Sequence, residues 1–130
     1  MRCTSRSLLV VIVACAAVAC GGATIVPMPV EMIGRWETDR VEYADRYFEF
    51  TPETVVIGTG DGTRQHGTVV EVSRVTDDVG LLYTVTYLDP AGVELSMGLY
   101  FDDSGGGTLR LENQIQLQNQ RGMLWRKVRP

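Results

Sequence analysis

The side chains that could carry chemistry are few, and their spacing limits what they could do. His66 is the sole histidine. No acidic residue stands close to it in sequence, so a hydroxyl–imidazole–carboxylate relay has no local start. Zinc takes three or four His, Cys or carboxylate ligands, and one His with no cysteine beyond position 20 does not supply them. Asp61, Asp77-Asp78 and Asp102-Asp103 offer the hard oxygens that Ca²⁺ takes. None has the Asp-x-Asp-x-Asp-Gly spacing of a calcium loop, and all fall where glycines mark turns. Gly58-Thr59-Gly60-Asp61-Gly62-Thr63 has the glycines of a phosphate loop but not its Gly-Lys-Ser/Thr ending. No helical pattern comes after it, and Asp61 would repel a phosphate. These residues read as turn acids, a hairpin tip and an exposed histidine at a strand end. The expectation is no catalytic residue, no metal and no cofactor.

The cysteines point elsewhere. Cys3, Cys15 and Cys20 all lie at or before position 20 of the 130 residues, so no disulfide can staple residues 21–130. Arg2 and Arg6 precede an uncharged apolar run, Leu8 to Ala19. Twelve residues fall short of the roughly 20 that a spanning helix needs, and residues 1–19 read as a secretory signal. Ala17-Val18-Ala19-Cys20 resembles the lipobox of bacterial lipoproteins. Ile12-Val13-Ala14-Cys15 fits the same local pattern but would leave only Leu8 to Ala14 as the apolar core, so Cys20 is the better site. An ordinary signal-peptidase site nearby, with Cys20 incidental, is the alternative. The resemblance implies that Cys20 becomes the lipidated first residue of the mature chain. Gly21, rather than Asp, comes next, which in a two-membrane bacterium implies the outer membrane, facing the periplasm. Several acyl chains at about 0.8 kcal/mol per buried CH₂ would make release negligible.

Beyond the signal, ten basic residues face sixteen acids. A face able to neutralise phosphates is therefore not expected, nor is nucleic-acid binding. Residues 20–31, with Gly21, Gly22, Pro27 and Pro29, read as a tether. Residues 32–130 form one small domain. There the recurring signal is alternation at period two. Strands are expected over Ile33–Glu37, Arg46–Thr51, Thr54–Gly58, Gly67–Val75, Leu81–Leu88, Val93–Phe101, Thr108–Leu117 and Met123–Val128. In the fourth, Val70 and Val72 stand opposite Glu71 and Ser73. Turn residues recur between the runs, as in Asp89-Pro90-Ala91-Gly92 and Asp102 to Gly107. A weak helical signal covers Asp39 to Asp45. The fold class is all-β: an antiparallel meander of about eight strands closing, or nearly closing, into a small barrel.

Gly34-Arg35-Trp36 on the first expected strand resembles the Gly-x-Trp signature of lipocalins and other calycins. In that family the Trp plugs the closed barrel end beside a basic residue of the last strand. The resemblance implies contact between Trp36 and the Trp125-Arg126 pair. It covers the two ends of the domain and its strand count; no Thr-Asp-Tyr motif lies between the middle strands. Tyr47, Tyr83, Tyr87 and Tyr100 either pack within the sheet or line a cavity with their hydroxyls at hand. The chain is thus expected to be a non-enzymatic, membrane-anchored protein whose β-domain binds a small apolar or amphipathic ligand, or an envelope protein. The alternative is a structural accessory of the envelope with a filled core and no ligand.

Overall fold

Among the described residues, alternating β-branched and aromatic residues build nine strands in one sheet, every neighbouring pair antiparallel. β1 spans Thr24–Val26, β2 Gly34–Glu37, β3 Arg46–Phe50, β4 Thr54–Thr59 and β5 Arg64–Thr76. β6 spans Leu81–Leu88, β7 Glu94–Asp102, β8 Thr108–Leu111 and β9 Trp125–Lys127. The computed structural model describes residues 22–112 and 123–129. The expected signal at 1–19, Cys20, and the stretch of the expected 108–117 strand past residue 112 lie outside the described residues. β2 to β9 succeed one another as a meander, and β9 returns to β2 through Trp36↔Lys127 and Glu37↔Arg126. The result is a closed eight-stranded antiparallel barrel with β1 as an extra strand on β5. Closure removes the unpaired edges that an open sheet would expose.

The meander has two unlike ends. At one lie the β3–β4, β5–β6 and β7–β8 turns and the segment that leads into β2; at the other lie the β2–β3, β4–β5 and β6–β7 connections. The first end is closed. A single 3₁₀ turn, Val30–Met32, sets Met32 beneath the barrel with no exposed surface. Trp36 stands on it and donates its Nε1–H to the Met32 carbonyl at 3.0 Å. Phe101 meets the Trp36 ring edge-on at 6.5 Å. Gly107 (φ +101°) turns the chain beside Trp36, where an added Cβ would stand 3.6 Å from the indole. Met32, Trp36, Phe50, Val55, Val85, Leu99 and Leu109 form the fully buried centre.

The structure corrects three expectations and resolves a fourth signal. The stretch 20–31 is not a free tether along its length. Thr24, Ile25 and Val26 pair with Arg74, Ser73 and Val72, and Met28 is buried in the core. The cation beside Trp36 is Lys127, whose Nζ lies 5.3 Å from the ring centre, and not Arg126. Arg126 is exposed on the outer face opposite Glu37, because alternation along β9 turns 126 away from the side shared by 125 and 127. Val70 is half exposed and does not share the face of Val72. The β5–β6 register slips between Val69 and Glu71, and this bulge puts Val69 on the core in its place. The helical signal at Asp39–Asp45 is one 3₁₀ turn, Val41–Tyr43.

Candidate functional site

Strand stagger leaves the mouth of the barrel less filled than its base. Two adjoining hollows that share Ile57 open there among the described residues. The first, about 390 Å³, runs over Val55, Ile57, Gln65, Gly67, Tyr87 and Leu95, with Arg64, His66 and Asp89 at its rim. The second, about 330 Å³, is lined by Phe48, Ile57, Leu111 and Trp125, with Tyr43 and Arg46 at the rim. Ile57 belongs to both. β4 and β5 place its floor: Val55 faces Gly67 and Ile57 faces Gln65 across the pair. Gly67 is needed because the Tyr87 ring lies against it; an added Cβ would collide with Tyr87 Cδ2. Burial raises the Tyr87 phenol above its ordinary range, with the Asp89 charge adding to it. Tyr87 therefore stays neutral at physiological pH and keeps its O–H.

Trp125 closes the wall of the second hollow. It is 3% exposed, and Phe48 packs against it with ring centres 4.7 Å apart. Its buried Nε1–H has no hydrogen-bond partner among the described residues. A buried donor left without an acceptor costs about 1–3 kcal/mol. At the rim, the Arg46 guanidinium sits 4.9 Å from the centre of the Tyr43 ring, which holds a positive charge beside the opening.

The four tyrosines separate. Tyr87 lines the first hollow, and Tyr47 borders the second. Tyr47 faces outward from β3; its ring covers Gly58, and Arg35 stacks on it at 3.8 Å. Tyr83 is inside the barrel but packs edge-on to Phe101 at 6.5 Å, outside both hollows. Tyr100 is turned away from the interior by the same alternation that buries Leu99. It is tied down on the outer face, its O–H donating to Asp77 Oδ2 at 2.6 Å. Residues not singled out as lining by the sequence are Phe48, Ile57, Gln65 and Leu95. The sequence places Leu95 on the apolar face of its strand, and only the structure shows that it is 41% exposed.

His66 is exposed on β5 opposite Val56 and borders the first hollow. Asp61, Asp77, Asp89 and Asp102 accept hydrogen bonds from their own turns: Asp61 from Thr63, Asp77 from Val79 and Gly80, Asp89 from Ala91 and Val93, Asp102 from Ser104. Those bonds hold the Asp61 and Asp102 carboxyls below the ordinary range. Among the described residues no three His, Cys, Asp or Glu side chains gather as a metal cage would require. Comparison with protein-family models, with curated proteins and with solved structures gives no significant match.

Proposed function

We propose that this chain is a non-enzymatic lipoprotein, anchored through Cys20 in the outer membrane, whose barrel holds a small amphipathic ligand at its mouth. The observation that carries the reading is the pair of adjoining hollows that share Ile57, each with an apolar floor and polar or charged side chains at its rim. Their size is that of small-molecule sites, which are mostly apolar with a few placed polar groups. The polar groups available are the Tyr87 hydroxyl, the Gln65 amide, the Trp125 N–H, which has no partner among the described residues, and the Arg46 charge at the rim. Such a set suits an apolar body bearing a hydrogen-bond acceptor. The filled base favours the second reading, a structural accessory with no ligand. Titration with an apolar naphthylamine dye separates the two. Saturable one-to-one binding is expected, lost in Gln65→Trp, which fills the first hollow, and in Ile57→Arg, with the far-UV spectrum unchanged. Binding that never saturates, or that both variants keep, would overturn the ligand reading in favour of the accessory.

A further inference from the structure

The path of the chain before β2 decides which end of the barrel can meet a membrane. Were residues 20–31 free, the stretch from Cys20 to Met32 could reach about 40 Å when extended, and either end could face the bilayer. β1 removes most of that freedom. Thr24 is fixed opposite Arg74 on β5, so only the stretch from Cys20 to Thr24 is left, about 14 Å at full extension whatever its conformation.

Thr24 is also fixed at one end. β5 runs from Arg64 at the mouth towards Thr76 at the base, and β4 accompanies it only as far as Thr68. The stagger leaves residues 69–76 of β5 projecting past β4, and β1 occupies the vacant edge. From Arg74 back to Arg64 is ten residues, about 33 Å along the strand and about 25 Å along the barrel axis at a tilt near 40°. A barrel standing mouth-down would hold Thr24 about 25 Å above the surface, beyond a leash of about 14 Å.

We infer that the closed end of the barrel rests on the lipid surface and the mouth opens away from it, because β1 shortens the anchor. This rests on the lipoprotein reading of Cys20. Ile25, Val30, Val79 and Val128 are exposed at or near the closed end and can enter the headgroup region. Arg74, Lys127 and Arg129 stand there with Asp77, Asp78, Asp102 and Asp103, so charge alone does not hold this end to the membrane. The leash does. A ligand would then enter from the aqueous side.

The test uses the full chain, processed and reconstituted in vesicles of zwitterionic lipid with nitroxide-labelled headgroups. Processing removes Cys3 and Cys15 and acylation blocks Cys20, so one added cysteine takes a fluorophore. Asp103→Cys labels the closed end and Ala91→Cys the mouth. Quenching several-fold stronger at 103 than at 91 is expected. An eight-residue Gly/Ser insertion between Gly22 and Ala23 restores about 40 Å of reach and should bring the two labels to parity. Protein that floats with the vesicles but quenches equally at both sites, or more at 91, overturns the orientation alone. Protein that does not float overturns the lipoprotein reading and the orientation with it.

Discussion

The bond between Tyr100 and Asp77 is strongest in one pair of charge states, with the phenol keeping its proton and the carboxyl having lost its own. The phenol is accordingly pushed up to about 12 from its ordinary 10.0, first by this bond, then by burial. The same bond holds Asp77 below its ordinary 3.8. A group with a raised folded pKa stabilises fully below its unfolded value and loses that contribution as pH rises, here between about pH 10 and 12. A depressed carboxyl contributes above its unfolded value and loses its share as pH falls below about 4. The melting temperature should therefore fall at both extremes, and Tyr100→Phe should lower it at neutral pH while flattening both limbs. Thermal melts from strongly acidic to strongly alkaline buffer read this directly; identical profiles for the two proteins would count against it. At the base, Trp36→Ala should cost about 3–5 kcal/mol. A double-mutant cycle should give Trp36–Lys127 a coupling of about 0.5–1 kcal/mol and Trp36–Arg126 none.

Among the elements, those with a single local signal were legible and those that depend on distant ones were not. Leu81 to Leu88 reads as a strand from alternation alone, and β6 spans those residues. Arg64, Gln65 and His66 show no such pattern; they are strand because Gly58, Ile57 and Val56 lie beside them. β1 is three residues between glycines and prolines, and only the stagger of β5 past β4 gives it an edge to join. The Val70 bulge has no local mark, and it shifts by one the apolar face that period two would assign. Lys127 was legible, since alternation places it with Trp125; attention to Arg126 came from the family pattern. The tyrosines of the site resolved only once facing was known. The segment before β2 now carries a sharp contrast. Met32 is fully buried and Val30 is 79% exposed, two residues apart on one 3₁₀ turn. Met32→Ala should cost about 2–5 kcal/mol, and Val30→Ala within about 0.5 kcal/mol. Urea melts with an unchanged slope would show it as a shift of midpoint for Met32→Ala only. Equal shifts would mean that the turn does not plug the barrel.

The molecule as a whole depends on its shortest closing strand. β9 is three residues long, joined to β2 by two register pairs and by the Val128 amide donating to the Arg35 carbonyl at 2.8 Å. On its other side it meets β8 at Leu109 and Thr108. This small ladder brings together residues about ninety positions apart, so its loop-closure cost is met late and β9 is expected to dock last. What holds it is burial: Trp125 and Met123 are 3% and 6% exposed, and the Lys127 stem covers Gly34 while its charge sits over Trp36. Removing it would uncover two edges at once, β2 and β8, and open the core around Phe48 and Leu109. A chain ending at Gly122 should therefore lose its cooperative thermal transition and form concentration-dependent oligomers through those edges. A chain ending at Arg129 should stay monomeric with its transition intact. Light scattering coupled to size exclusion, with melts of both chains, makes the comparison. Should the chain ending at Gly122 stay monomeric and melt at the same temperature, closure would contribute nothing, and the barrel would be better described as a curled sheet of eight strands, β1 to β8.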